Sequence, residues 1–320
     1  MISPDKVFIG IDVSKATLDI SLSGKHFKIG NEKTAIFHFI QQEVTLKRAA
    51  PSLVCLESTG GYEAMAIQCF HKAEIPVHRA HPNRVYAFAK ASGHFAKTDK
   101  LDAKLLEKYA AFVSEEEKGD EARSEASYEL QELRGVERDL LETLHANQCR
   151  VKMSCGRAIG HFEAQIEFLK NQLEKVRNDI EKTIASDDQL DQRRKLLMSH
   201  KGVGKLTANA LMAELPELGK LNNKEIASLV GVAPKTYESG TKKSAGQIMG
   251  GRFFVRKALY MAALVASRHN KKMKIFYDRL IAAGKAKKVA LVALMRKIIV
   301  CLNAMVKKNM PYDESYSVKP

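Results

Sequence analysis

Cysteine is scarce and badly placed for cross-linking: Cys55, Cys69, Cys149, Cys155 and Cys301 are scattered, odd in number and include no Cys-x-x-Cys pair. That spacing excludes a disulfide framework and a zinc site, and the chain reads as a protein of a reducing cytoplasm. No apolar run approaches the roughly 18 residues that would span a bilayer. Asp5 and Lys6 stand directly before the first apolar stretch, the wrong order for a secretory signal. Internal repeats are lacking as well. What the chain has is length and apolar content: 320 residues, 45% hydrophobic and 7% aromatic, enough for two or three cored units.

Charge is unevenly spread. Residues 1–113 carry 15 Lys and Arg against 11 Asp and Glu, residues 114–185 carry 11 against 16, and residues 186–320 carry 26 against 10. Nearly all of the net +15 therefore sits in the last segment. So lopsided a field attracts a polyanion, and nucleic acid is the usual one. A basic surface kept for solubility is the plainer alternative.

The first segment alternates β-forming and helical patterns. Val7 to Val13 is an apolar run, Leu18 to Leu22 a second, and His26 to Ile29 a third short strand before Gly30-Asn31. Residues 33–48 have helical spacing, Ser52 to Glu57 returns to strand, 61–72 to helix, and Pro76 to Ala80 to strand. Helices follow from Asn83 and from Thr98 to Phe112. A three-strand meander followed by alternating helix and strand is the order of an RNase H-like sheet, making the fold class α/β here and α beyond. In the middle segment Ile166, Leu169, Leu173, Val176 and Ile180 step by three and four, an a/d seam, with Leu130, Leu133, Leu140 and Leu144 as a looser upstream stripe. Two long helices broken near residues 156–160 imply an antiparallel coiled-coil arm; a bundle packed on its own domain is the alternative. The last segment predicts helices at 191–199, 206–215, 223–230, 252–268, 273–283 and 287–307. A glycine-containing loop interrupts them at 237–250, and the tail after Pro311 is expected to fray.

Four acids stand where metal chemistry would need them. Asp12 ends the first strand and Glu57 the strand after the first helix, neighbours in an RNase H-like sheet. Asp99 and Asp102 are three apart on a predicted helix and so share a face. Four converging carboxylates repel unless cations hold them, and hard oxygen ligands suit Mg²⁺, with Mn²⁺ as a substitute. Paired ions of that kind stabilise both oxygens of a phosphoryl transfer. Taken singly, Asp12 is also a turn residue and Asp99 also a helix cap.

Two features of the basic segment suit phosphate. Lys201-Gly202-Val203-Gly204-Lys205 joins two predicted helices with a tight Gly-x-Gly turn, the pattern of a helix-hairpin-helix that grips backbone without reading sequence. A Walker A loop is excluded, because Leu206 follows the Gly-Lys pair. A plain helical hairpin is the alternative. Ser239, in Tyr237-Glu238-Ser239-Gly240, can serve as a turn residue, a phosphate binder or a nucleophile, and Lys242, Lys243, Arg252, Arg256 and Lys257 surround it in sequence.

Three stretches resemble, in order, the acidic motifs of the DEDD transposases of the IS110 insertion-sequence family, a group that includes Piv-type DNA invertases. They are Ile9-Gly10-Ile11-Asp12-Val13-Ser14-Lys15, Leu56-Glu57-Ser58-Thr59-Gly60-Gly61-Tyr62 and Lys97-Thr98-Asp99-Lys100-Leu101-Asp102-Ala103. Gly202-Val203-Gly204 with Thr207-Ala208, Gly231-Val232-Ala233-Pro234, Tyr237-Glu238-Ser239-Gly240 and Arg256-Lys257-Ala258-Leu259-Tyr260-Met261 look like that family's C-terminal domain. The resemblance implies a RuvC-like catalytic domain at 1–113, a coiled-coil arm at 114–186 and a serine-bearing transposase domain at 187–320. It further implies that Asp12, Glu57, Asp99 and Asp102 hold the metal. Ser239 then attacks a DNA phosphate to form a covalent intermediate, with Ser244 the one rival for that role. The same resemblance implies a composite site shared between subunits, dimers pairing into a tetramer, a structured guide RNA beside DNA, and a bacterial cytoplasmic, nucleoid-associated location with no membrane partner. Four competing functions remain in view: a site-specific invertase, a metal-only junction endonuclease, an actin-like sugar kinase suggested by Gly10-Ile11-Asp12 alone, and a catalytically silent nucleic-acid scaffold.

Overall fold

The computed structural model describes residues 6–46, 51–93, 99–114, 119, 123–234, 238–239, 242–243 and 246–313; at 99, 100, 238, 239, 242 and 243 it describes the backbone alone. The chain forms two compact units, residues 1–123 and 124–320.

The first unit is built on a five-stranded sheet. Strands β1 (Val7–Val13), β2 (Thr17–Leu22) and β3 (Lys25–Gly30) form the meander, and β4 (Pro51–Glu57) and β5 (Val77–Ala80) complete the order β3-β2-β1-β4-β5. β1 pairs antiparallel with β2 and parallel with β4, and β4 pairs parallel with β5. This is the mixed sheet expected for an RNase H-like unit. α1 (Lys33–Phe39), continued by a π-helical stretch at Ile40–Thr45, and α2 (Ala64–Lys72) cover one face. There Ile9, Ile11, Leu18, Ile20, Ile36 and Phe70 are fully enclosed. At about 2 kcal/mol for each such side chain, that alternation fixes which way β1 faces. The opposite face packs against α3 (Pro82–Ala91) and α4 (Asp99–Val113) through Phe8, Leu53, Cys55, Val85, Leu106 and Tyr109. The helix expected at 61–72 begins three residues late, at Ala64.

The second unit is helical. α5 (Glu125–Met153) and α6 (Ala158–Ala185) form an antiparallel hairpin. They are followed by α7 (Asp188–Met198), α8 (Lys205–Glu214) and α9 (Asn223–Val230). A two-residue hairpin of β6 (Glu238–Ser239) and β7 (Lys242–Lys243) precedes α10 (Phe253–His269), α11 (Lys271–Ala282) and α12 (Lys287–Lys308). Leu130, Ile180 and Ile184 at the base of the arm share one core with residues of α7 to α12. Further out, the seam on α5 runs through Leu130, Leu133, Glu137, Leu140, Leu144 and Asn147, an unbroken alternation of three and four with two polar members. Glu137 is 1% exposed and is held by Arg134 and by Arg177 Nε at 2.9 Å. Asn147 Nδ2 donates to Gln165 Oε1 at 3.0 Å. Buried polar pairs at a seam fix register, because any slip strands a charge or an amide in the apolar interface.

α12 corrects the sequence analysis on membrane spans. It is long and apolar enough to cross a membrane by length and composition, with a mean hydropathy of 2.1, and half of that stretch is buried inside the unit. The charged pair Arg296-Lys297 interrupts the apolar letters, which is why no run stands out by eye. Leu291, Leu294, Met295, Ile298, Ile299 and Leu302 all enter the core of the second unit.

His200, between α7 and α8, is 0% exposed and lies against the ring of Tyr312 with centroids 4.4 Å apart. Burial pushes its imidazole down to a pKa of about 4, outweighing nearby backbone groups that favour the charged form. The unfolded chain therefore takes up this proton near pH 6.5 and the folded chain near pH 4. The stabilisation is complete above pH 6.5 and drains away as pH falls between those values, about 2 kcal/mol being lost by pH 5. Denaturant unfolding at pH 7.5 and pH 5 should show this loss in the wild type and a smaller one in His200→Phe. In the arm, Glu137→Ala should cost about 3 kcal/mol because it empties a buried seam position and leaves the half-buried Arg134 without its counter-charge. Glu137→Leu, which fills the seam but leaves Arg134 equally unpaired, should recover only the packing part of that loss in the same urea titration.

Candidate functional site

β1 and β4 place Gly10 opposite Cys55 and Ile11 opposite Leu56. One residue further along each strand stand Asp12 and Glu57. Residues in register on adjacent parallel strands point to the same face about 5 Å apart, so these two half-buried carboxylates emerge side by side. Strand alternation identifies the face. Phe8, Gly10 and Asp12 lie on one side of β1, and Phe8 packs with Leu105, Leu106, Tyr109 and Ala110 of α4.

Gly10 sets how closely α4 approaches. A Cβ there would sit 2.1 Å from the carbonyl oxygen of Ala103 and 2.1 Å from the nitrogen of Glu107. The helix backbone thus rests directly on bare strand, which only glycine permits. Asp102, half-buried, immediately precedes Ala103 on that turn, and Asp99 opens the same helix. Glu107, also on α4, accepts from Ser21 Oγ at 2.5 Å, and Ser21 is the cross-strand partner of Gly10. The helix is therefore fastened by a close backbone fit and by a hydrogen bond to a charged acceptor.

Three of the four acids expected from the sequence have described side chains, and all three lie on this face of the sheet or on the helix turn above it. Among the described residues no group of three or more His, Cys, Asp or Glu side chains stands close enough to form a ready-made metal cage. The fit to a cation rests on donor type and the shared face: an all-carboxylate set is the hard-oxygen chemistry of Mg²⁺ or Mn²⁺.

Several residues absent from the sequence expectation shape this region. Asp19 lies opposite Asp12 across the β1–β2 pair and is 5% exposed. His26 Nε2 at 2.9 Å and Lys28 Nζ at 3.1 Å hold it. Glu63, 4% exposed, gathers the loop that follows Glu57: Ser58 Oγ, the Thr59 N–H and hydroxyl, and the Gly61 N–H donate to it at 2.9 to 3.3 Å. Burial opposes its ionisation, but these backbone donors and the Arg79 guanidinium prevail and hold its carboxyl below the usual range. Asn31 Nδ2 donates at 3.0 Å to the carbonyl of Ser14, two residues beyond Asp12, and at 3.0 Å to that of Tyr62.

In the second unit the Gly-x-Gly turn lies between α7 and α8, with Gly204 as the N-cap of α8. Gly202 has φ +116° and packs on α10, where a Cβ would come within 2.9 Å of the Ala262 carbonyl. Lys205 lies 3.4 Å from Glu181 in a pair that is 62% exposed on the lysine side, worth little. Lys201 is exposed. Ser239 on β6 is the cross-strand partner of Lys242 on β7. The loop that carries this hairpin is closed at its neck. Gly231 (φ +78°) and Gly251 (φ +73°) cross so tightly that a Cβ on Gly251 would lie 2.4 Å from the Gly231 nitrogen. The Arg252 N–H donates to Leu229 O at 3.1 Å. The Arg252 guanidinium grips the Glu217 carboxylate, with Nη1 2.6 Å from Oε2 and 2.5 Å from the Glu214 carbonyl. Arg256 donates to the Gly250 carbonyl. Both arginines thus fasten the loop base, whereas Lys257 is exposed.

A family model described as Transposase, of the DEDD IS110 type, matches residues 9–153, and one described as Transposase IS116/IS110/IS902 family matches residues 194–278. The chain is 27% identical to the Pilin gene-inverting protein of Moraxella bovis, over 97% of this chain and 98% of that protein. It is 26% identical to its counterpart in Moraxella lacunata over the same shares. Among solved structures, the Thermus thermophilus RuvC structure aligns with 35% of this chain and 98% of its own at a TM-score of 0.29 and 15% identity.

Gly10→Ala should drive α4 away from β1. The expected cost is about 2 to 3 kcal/mol in denaturant unfolding, together with loss of whatever chemistry the acidic face performs. Ser21→Ala, which removes one hydrogen bond, should cost about 1 kcal/mol.

Proposed function

Because the chain belongs to the IS116/IS110/IS902 family of transposases, DNA-processing enzymes, we propose that it breaks and rejoins DNA strands through a covalent phosphoserine intermediate. The observation that supports this most is the pairing of Asp12 with Glu57 on one sheet face, beneath the helix that carries Asp99 and Asp102.

Asp12, Glu57, Asp99 and Asp102 would hold divalent metal, most naturally Mg²⁺, which supplies Lewis-acid polarisation of the scissile phosphate. Ser239 Oγ attacks phosphorus. Its O–P bond forms as the bond to the departing strand breaks, the serine proton is lost, and the departing oxygen leaves with a proton. Attack by another strand's hydroxyl reverses these events and releases the serine, so the phosphodiester energy is kept without ATP. The closed neck at Gly231 and Gly251 supports this role, since a nucleophile on a loop needs a fixed base. We assign the acids and the serine that meet at one phosphate to different subunits of a dimer, or of a tetramer formed by two such dimers. Exposed Val136, Leu141, Met153 and Phe168 along the arm support a self-association role for α5 and α6.

Nucleic-acid contact falls to Lys201, Gly202, Gly204 and Lys205 at the helix hairpin and to Lys242, Lys243 and Lys257 around the serine loop. Arg252 and Arg256 serve mainly by holding that loop. A second group joins them: Lys297 Nζ and the Arg279 guanidinium both rest over the Phe276 ring, 4.5 and 5.4 Å from its centre. Burial, then neighbouring Arg279, holds the Lys297 amine below its usual range, a strain that a phosphate would relieve. A structured guide RNA beside DNA fits the same positive surface. Site-specific inversion is the second reading, favoured by full-length similarity to pilin gene-inverting proteins.

Incubation with nicked suicide DNA should trap a protein–DNA adduct with the wild type and none with Ser239→Ala. An alanine variant that cleaves at the wild-type rate would contradict the serine scheme and favour a metal-only nuclease. Asp12→Asn should lower strand exchange at least ~10²-fold while leaving DNA retention intact.

A further inference from the structure

The chain segments leaving β1 and β4 are tied to each other by side chains that do no chemistry. Asp12 is followed by the turn at Ser14, where Ser14 Oγ and Thr17 O close at 2.9 Å, and Glu57 by the loop Ser58 to Glu63. Asn31, directly after β3, spans the two. Its Nδ2 reaches the Ser14 and Tyr62 carbonyls, each at 3.0 Å, while its own N–H donates to Ala16 O at 2.9 Å. Because both neighbours are carbonyls, the amide orientation is fixed: the nitrogen must face them. The buried Oδ1 is then left without a partner among the described residues. On the other side Glu63 collects donors from Ser58, Thr59 and Gly61. Ser58 N–H in turn donates to Ala80 O of β5 at 3.2 Å. Gly60 (φ +73°) and Gly61 (φ +113°) let the loop curl back far enough for this.

An orphaned amide oxygen and an almost fully buried carboxylate are both costly, and a turn made for stability alone needs neither. The arrangement makes sense if the separation of the two strand exits matters. We propose that Asn31 and Glu63 are positioning residues that clamp the exits of β1 and β4, setting the spacing of the Asp12 and Glu57 carboxylates for one divalent cation. This rests on the metal-site reading above and deepens it. Two unclamped carboxylates relax apart by repulsion, so each binding event would first have to draw them together.

The test is calorimetric titration of Mn²⁺ into the full chain, with thermal melts on every variant. Asp12→Asn should abolish binding. Asn31→Ala and Glu63→Gln should weaken it about tenfold, the range seen when the supports of metal ligands are removed. Asn31→Asp, which sets carboxylate oxygens against two carbonyls, should weaken it further. Excess Mn²⁺ should restore DNA cleavage to the Asn31 and Glu63 variants, and in a variant whose metal-free melting matches the wild type this rescue reports the site rather than the fold. Wild-type Mn²⁺ affinity in both Asn31→Ala and Glu63→Gln, with binding lost in Asp12→Asn, would overturn the clamp while leaving the metal site standing. Unchanged affinity in Asp12→Asn would remove the metal site itself. Should Glu63→Gln melt early, Asn31→Ala decides the matter alone.

Discussion

The close seat of α4 on Gly10 is the contact from which the rest of the first unit's site follows. Helix backbone against strand backbone brings the turn bearing Asp102 down beside β1, two residues from Asp12. Parallel pairing of β1 with β4 then brings Glu57 alongside. No single acid makes a site. The strand register puts Asp12 and Glu57 on one face, the missing Cβ lets the α4 turn that follows Asp102 approach it, and Ser21 with Glu107 locks the helix in that seat.

The second unit obeys a related constraint with different parts. Gly231 and Gly251 cross without side chains, and Arg252 anchors the crossing to Glu217 and the Glu214 carbonyl. A polar, lysine-rich loop has little apolar surface with which to hold its own base, so backbone contact and ion pairing do this instead. The arm also shows polar groups acting as register marks, with Glu137 and Asn147 at seam positions where leucine would pack without selecting a register.

Much of the first unit was legible in the sequence because its strands are dense in β-branched and apolar residues and its acids end those strands. The mixed sheet and the positions of Asp12 and Glu57 follow that pattern, and Asp102 follows from the helical spacing after Thr98. What escaped were residues whose role depends on pairing rather than type. Asp19 reads as an ordinary polar position until the β1–β2 register sets it opposite Asp12. Glu63 reads as a helix-start acid, yet it captures the preceding loop and delays α2 to Ala64. Glu137 and Asn147 concealed the full heptad on α5 because a hydrophobic template skips them. α12 was overlooked as an apolar run because Arg296 and Lys297 divide it. Basic residues near Ser239 all looked alike as phosphate ligands, and only coordinates separate the inward Arg252 from the exposed Lys257.

The central claim is that carboxylates from two strands and one helix act together on a single divalent ion. Crystals soaked in Mn²⁺ and measured at the manganese absorption edge test it most directly. The account predicts an anomalous peak within bonding distance of both Asp12 and Glu57, with a carboxylate of α4 completing the set. A peak elsewhere on the protein, or none beside Asp12 at saturating Mn²⁺, would contradict it.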